Sequence, residues 1–403
     1  MPSIPSEWLL GALLGALYVA AIVAMRQKGA FTDEVDHYAQ ISVFTHADWR
    51  VLPEITTIPG YHLLVAAILR VTGSSLDAAR LVNAGFGLVA IAGFHALRRR
   101  LWNGTETIAT AQFIALPILV PLFFVVYTDV LALALLMWAA WASVARRHAV
   151  AALLLTLLVG VRQHEVLWAG LFTLFAIAAA PARPRLQDAL RALPSALPYA
   201  LPLICFGAFW WWNGAVSLSR SQAGLHPDFS LHAGNPCLAL LVAGFLLPLH
   251  VLLGLREFGA LVRRSPWLGA IPFLLVAGFW FGFHPDNPYN TALPAYYLHN
   301  LIPASIGGNP TLRALAAIGA AVTACGLAPT RLRPDGAGWI YPLALMFLAA
   351  SWLVELRYVL VPFALWLALR EHRGRAIEYA TLALWLVLAV CMMSATVTHR
   401  FFL

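Results

Sequence analysis

The chain has 403 residues, 61% of them hydrophobic and 11% charged, with a mean hydropathy of +0.78. No soluble domain of this length has such a composition, so the sequence is that of a polytopic integral membrane protein. The net charge of +8 does not point to nucleic acid: Lys28 is the one lysine among 26 basic residues, and the arginines cluster between apolar runs, the mark of cytoplasmic loops.

In chain order, the first apolar run, 8–26, has no basic residue before it and no good small-residue cleavage site after it. It reads as a retained first span, with a cleaved signal peptide as the alternative. A polar island follows over 31–60, FTDEVDHYAQISVFTHADWRVLPEITTIPG, with five carboxylates (Asp33, Glu34, Asp36, Asp48, Glu54) and two histidines (His37, His46). Hydrocarbon is a costly environment for these groups, so they face water or a protein cavity. The segments 61–71, after the Pro59-Gly60 break, and 294–306 are apolar but too short or too polar to span, and are expected to be helices that lie in the interface or re-enter the bundle. Further apolar runs at 80–97, 107–126, 129–145, 149–161, 165–181, 194–212, 237–255, 267–283, 311–328, 339–354, 356–370 and 377–394 bring the expectation to roughly thirteen spans, in a range of about 12–14.

With both short segments lying flat, the amino terminus is cytoplasmic. Arg98, Arg99, Arg100, Arg331, Arg333, Arg370, Arg373 and Arg375 then fall on the cytoplasmic side and the island on the other. No internal repeat and no soluble domain is visible, so the expected organisation is a single transmembrane domain over 1–403. Its first outer loop, 27–72, carries the acids and an interfacial helix. Cys205, Cys237, Cys325 and Cys391 form no CxxC pair and read as small hydrophobes.

Chemistry concentrates at the outer ends of the spans. In glycosyl transfer from a lipid-phosphate sugar, the acceptor hydroxyl loses a proton as it attacks the anomeric carbon. A carboxylate such as Asp33 or Glu34 can take it, and cations must neutralise the departing phosphate. The plainer reading makes the same pair a solvated loop or a helix cap. Asp36 and His37 could add a divalent metal, which no coordination pattern fixes. Threonines and a proline before 61–71 read as a cap and turn, which leaves Glu54 unexplained. Asp129, beside Tyr127 and Thr128, reads as a cap for the helix that follows or as a second acid of the site. In Arg162-Gln163-His164-Glu165, Arg162 or His164 could hold phosphate or a sugar hydroxyl; a tight loop explains the step equally well. The run from His284 through Asp286 and Asn287 to Asn290 suits sugar binding or a turn. Glu355 and Arg357 form either a structural ion pair or part of a phosphate site, with Tyr358 beside them. Trp210, Trp211 and Trp212 read as an interface anchor.

Several of these segments, taken in order, resemble the dolichol-pathway alpha-1,2-glucosyltransferases. Asp33-Glu34, His37 and Gln40, then Trp49, then Ile55-Thr56-Thr57 and Pro59-Gly60 are similar to that family's first luminal loop. Phe123-Phe124 with Tyr127-Thr128-Asp129, Arg162-Gln163, Asn213-Gly214 with Leu225-His226, His284-Pro285 with Asp286-Asn287, Glu355-Leu356-Arg357-Tyr358 and the tail His399-Arg400-Phe401 follow in register. The chain departs from the pattern at Leu356, where the family has proline, at 217–220, and near Asn287, where an arginine is missing; these places bear on the acceptor.

The resemblance implies an all-α bundle of the C-type glycosyltransferase kind. It also implies a polyprenyl-phosphate-glucose donor, inversion at the anomeric carbon, a glycan or lipid-linked acceptor, and a site on the non-cytoplasmic face, periplasmic if the arginine-rich composition is bacterial. On this reading Asp33 is the base, with Glu34 assisting or holding acceptor. Arg357 and Arg162 hold donor phosphate, and His37, His226, His284 and Asp286 line the sugar pocket. Gln40, Glu54, Thr56, Thr57, Asp129, Gln163, Glu355 and Tyr358 complete the substrate-binding set. Two other readings remain: the same fold acting on another sugar or acceptor, including mannosyl, arabinosyl or protein-directed transfer, and a lipid-linked glycan transporter.

Overall fold

The computed structural model describes residues 6–178, 192–225, 227–228, 230–292 and 298–400. Among them there is no strand, only an isolated bridge between Leu332 and Arg370. The helices run α1 (Ser6–Met25), α2 (Glu34–Thr45), α3 (Gly60–Thr72), α4 (Leu76–Leu101), α5 (Glu106–Ile114), α6 (Thr128–Val144), α7 (His148–Val159), α8 (Leu167–Ala178) and α9 (Ala200–Asn213). They continue with α10 (Gly234–Leu246), α11 (Pro248–Arg264), α12 (Ile271–Gly282), α13 (Leu298–Gly308), α14 (Pro310–Leu327), α15 (Ile340–Ala349), α16 (Leu356–Leu369) and α17 (Arg375–Val397). An all-helical, multi-pass membrane protein is thus what the chain is.

Span lengths differ from the expectation. Among the described residues five helices are long and apolar enough to cross alone: Trp8–Met25, Leu76–Leu101, Ala192–Asn213, Pro310–Leu327 and Arg375–Val397. The run 237–255 is not one straight helix: α10 and α11 meet at 105° because Pro248 cannot continue the hydrogen-bond ladder of α10. The run 107–126 breaks as well. α5 stops at Ile114, and Pro121 opens a 3-10 turn, Pro121–Phe124. Shorter apolar helices, among them α6, α7 and α16, fill the middle. Of the segment 294–306, only the part within α13 lies among the described residues.

Burial sorts the helices. α1 is apolar on all sides and mostly exposed, as a lipid-facing helix should be. α6 and α16 are sheathed nearly all round by other helices, and α6 packs between α4 and α7. α4 ties the two ends of the bundle together. Ser75 caps it by accepting the Ala78 N–H at 3.1 Å, and its last turn carries Arg98, Arg99 and Arg100, favourable against the helix dipole.

Each end of α4 joins a buried polar network. Arg80, near its start, reaches into the first loop. Arg98, one residue short of the last turn's middle, donates to the Ala368 carbonyl at 3.1 Å, where Arg370 is clamped by Glu378 at 2.6 Å and by Gln112 at 2.9 Å. At ~1.5 Å per residue, Arg80 and Arg98 lie ~27 Å apart along the axis. The acidic island and the Arg98/Arg370 cluster therefore occupy opposite ends of the bundle, as the arginine distribution requires.

Candidate active site

The two adjacent acids of the first loop have opposite fates. Glu34 is fully buried. Its Oε1 accepts from Arg80 Nε at 2.9 Å and from the Val126 N–H at 2.8 Å, and its Oε2 accepts from Arg80 at 2.6 Å and from the Phe31 N–H at 3.0 Å. Arg80 also donates to the carbonyls of Met25, Lys28 and Gly29. Such a pair is tolerated in an apolar interior because both groups are nearly saturated with partners. It staples the end of α1 and the start of α2 to α4 and to the strand-like stretch before α6, and it leaves Glu34 no face toward a substrate.

Asp33 turns the other way. Its side chain is 52% exposed and accepts from Arg357 at 2.8 Å. It makes no side-chain cap to α2, so the capping reading does not hold. Arg357, in the first turn of α16, also donates through Nε to Glu355 and lies over the Tyr127 ring, 4.8 Å from its centre. Glu355 is buried, its backbone N–H held by Asn235 at 2.8 Å, and its Oε2 has no partner among the described residues. Arg357 is therefore shared between one buried and one accessible carboxylate.

Beside it stands a second cation. Arg162 pairs with Asp129, which is fully buried, lies 3.5 Å from Glu165 and 3.3 Å from His164 Nε2. Asp129 thus serves Arg162 and does not cap α6, whose cap position is Tyr127. Glu165 accepts from the Trp168 indole at 2.7 Å. Burial pushes its carboxyl up to about 7, against the opposing pull of Arg162. His164 meets Tyr358 edge-on, with ring centres 6.3 Å apart, closing the circle from Arg162 to α16.

His37 feels the charges of both arginines and of Asp33 and Asp129. Its Nδ1 is 2.9 Å from His62 Nε2, and its ring meets Tyr127 edge-on at 5.4 Å. Burial, reinforced by the Arg357 and Arg162 charges and opposed by Asp33 and Asp129, pushes its pKa down to about 4. The imidazole is neutral at ordinary pH. Asp36 is shifted upward, first by burial and then by the charges of Asp33 and Glu54. Among the described residues no three His, Cys, Asp or Glu side chains gather in a metal-holding group, and His37 spends its Nδ1 on His62.

Other expected site residues hold backbone. Gln40 accepts from the Leu52 N–H at 2.7 Å and donates to the Arg50 carbonyl at 3.1 Å. Gln163 accepts from the Ile58 N–H and donates to the carbonyls of Thr56 and Val216. Thr56 also accepts the Leu218 N–H at 2.8 Å. Neither threonine caps α3; the Thr57 hydroxyl is buried without a partner among the described residues. The entry to α3 is set instead by contact of backbones, with the Gly60 N–H on the Gly160 carbonyl at 2.9 Å. A Cβ at Gly60 would clash with that carbonyl, which explains the glycine after Pro59.

Glu54 is exposed and acts on the cluster through its charge. His284 is exposed, and Asp286 accepts from the Trp352 indole at 2.8 Å, three residues before Glu355. His226 lies outside the described residues, as does the tail beyond Arg400. The structure thus gathers Asp33, His37, Asp129, Arg162, Glu355, Arg357 and Tyr358 in one place. Sequence reasoning missed Arg80 and His62. A lone arginine inside the apolar run 80–97 was the one available signal for Arg80, while His62, on an interfacial helix, offered none.

The DIE2/ALG10 family model matches residues 27–189. No curated protein matches the chain. Among solved structures, ArnT from Cupriavidus metallidurans in the apo state is similar at 13% identity and a TM-score of 0.46, covering 99% of this chain and 78% of that one. The same protein bound to undecaprenyl phosphate is similar at 14% identity and a TM-score of 0.47, covering 98% and 79%. Those two likenesses are too distant to carry an argument. The family match stands on its own and holds the first loop, Asp129 and Arg162. The segment that builds most of the site is thus similar to the DIE2/ALG10 family, over residues 27–189.

Proposed function

We propose that the chain is a membrane glycosyltransferase that moves a hexose, glucose in the leading reading, from a polyprenyl-phosphate sugar to a glycan or lipid-linked acceptor. One observation carries the reading: the accessible carboxylate of Asp33 stands in contact with Arg357, with Arg162 in the same charged cluster. A base and two cations side by side are what displacement of a phosphate from an anomeric carbon needs.

Asp33 takes the proton of the acceptor hydroxyl as its oxygen bonds to the anomeric carbon. The bond from that carbon to the phosphate oxygen breaks on the opposite face, which inverts the configuration. The lipid phosphate leaves with the bonding electrons, and Arg357 and Arg162 balance its charge. In the resting protein Asp33 is tied to Arg357. A donor phosphate arriving at Arg357 competes for that guanidinium and frees the carboxylate to act as base. His37 and Tyr358 line the space beside the two cations. Glu34 is scaffold, and so are Gln40 and Gln163.

The reading places the site on the non-cytoplasmic face, because the Arg98/Arg370 cluster occupies the far end of α4. The test is transfer by purified protein from a panel of polyprenyl-phosphate sugars, with release of polyprenyl phosphate as the readout. Transfer from the glucose donor with inversion supports the proposal. Turnover of a different sugar corrects its specificity, and no lipid-phosphate release from any donor defeats it.

A further inference from the structure

Buried His62 and half-buried His37 pair beside the charges of the site, and hydrogen-bond accounting fixes their protons. One proton joins His37 Nδ1 to His62 Nε2 across 2.9 Å, and either ring could donate it. The far nitrogen of His62, Nδ1, is sealed from solvent and has no partner among the described residues. If His37 were the donor, the neutral His62 would have to carry its own proton on that sealed Nδ1, as an orphan N–H. If His62 donates through Nε2, its Nδ1 is a bare lone pair and no N–H is orphaned. Buried N–H groups left without an acceptor are rarer in folded proteins than under-satisfied acceptors, so the second arrangement prevails. This assignment comes from the network, since hydrogen positions are inferred from their partners.

The consequence falls on His37. With its Nδ1 accepting, its proton must sit on Nε2. That nitrogen has no hydrogen-bond partner among the described residues, and it is not among the sealed atoms of this half-buried residue. Tyr127 packs edge-on at 5.4 Å and Tyr61 at 6.4 Å, which holds the ring in place. The electrostatic neighbours of His37 are Arg357, Arg162, Asp33 and Asp129. A sugar hydroxyl could use either tautomer, because it both donates and accepts. A phosphate oxygen only accepts, so it needs the N–H form.

We propose that His62 is a positioning residue that locks His37 in its Nε2–H tautomer, so that His37 donates a neutral hydrogen bond to a phosphate oxygen of the lipid-linked donor held at Arg357 and Arg162. The inference rests on the glycosyltransferase reading for the identity of that ligand, but the tautomer is a property of the protein alone.

Two measurements separate the parts. The first is the nitrogen NMR spectrum of full-length protein labelled with 15N-histidine in detergent, with His37 assigned by its Gln variant. The expected spectrum shows a bare Nδ1 and a protonated Nε2 for His37 in the wild type, and mixed tautomers after His62→Leu. A His37 protonated on Nδ1 in the wild type overturns the inference. The second is affinity for undecaprenyl phosphate and KM against kcat for the donor. His62→Leu is expected to weaken both binding and KM about tenfold or more, the effect of one hydrogen bond to a charged group, with a smaller change in kcat. His62→Gln, whose amide can donate from the Nε2 position, should restore them. Should His62→Leu not fold, His37→Gln against His37→Asn gives the same contrast, since only Gln offers an N–H where Nε2 stood. Equal affinity in both members of either pair overturns the inference. Failure of the wild type to bind any polyprenyl phosphate defeats the donor reading, while the spectrum still decides the tautomer.

Discussion

Asp33 and Arg357 are separated by 324 residues in sequence and by 2.8 Å in the fold. The contact joins the first loop to the opening turn of α16. It also sets apart two acids that a sequence presents as a unit. Asp33 is accessible and bound to a cation shared with Glu355, whereas its neighbour is sealed against Arg80.

Asp33→Asn should therefore abolish transfer with little effect on folding. Loss of a general base typically costs about 10²–10⁴ in rate. The check is kcat for sugar transfer together with the thermal midpoint in detergent. Near-normal turnover would remove Asp33 from the role of base.

Glu34→Gln should do the reverse of this, acting first on stability. It leaves the buried Arg80 guanidinium only the half-exposed Asp77 carboxylate, 3.8 Å away, as counter-charge, and breaking a buried pair costs up to about 3–5 kcal/mol. A drop in thermal midpoint, with activity falling in proportion to the folded fraction, is the expected result. A normally stable but inactive Glu34→Gln protein would return Glu34 to the chemistry.

Stability should depend on pH through two opposed groups. His37, held at about 4 against an ordinary 6.5, binds its proton more weakly when folded. Its contribution is complete above 6.5 and is lost as pH falls toward 4. Glu165, raised from 4.5 to about 7, keeps a proton in the folded chain that the unfolded chain has released, so its contribution declines as pH rises through that window. The two slopes offset one another between 4.5 and 6.5. Glu165→Gln keeps the indole hydrogen bond and removes one slope. Its denaturation midpoint should rise more steeply with pH across 4.5–6.5 than that of the wild type, and an unchanged or reversed slope would contradict the assignment.

Gly60→Ala should act through backbone. The added methyl meets the Gly160 carbonyl, which cannot yield without moving the turn that carries Arg162. Overpacking of this kind costs about 1–3 kcal/mol. Reduced donor affinity together with a lowered midpoint is expected from binding and thermal scans, whereas full activity would mean that the turn adjusts freely.

Membrane class, helix content and the two ends of the bundle were legible before any coordinates, because hydropathy and arginine placement act residue by residue on the choice between lipid and water. The motifs from Asp33 to Tyr358 also marked several of the segments that the fold brings together. The sequence did not reveal that Gln40 and Gln163 hold carbonyls and amides, that the thirteen expected spans include breaks at Pro121 and Pro248, or that Asp129 serves Arg162 instead of capping α6.

The division between Asp33 and Glu34 shows why. Successive residues at a helix start point ~100° apart, so one can face the protein and the other the site. Which one does so depends on where Arg80 and Arg357 arrive, and those are placed by the packing of α4 and α16. Residue type and hydropathy determined that this chain would carry acids at one face of a membrane bundle; the packing of distant helices, which alone brings opposite charges within reach, decided which acid is buried and which stays accessible.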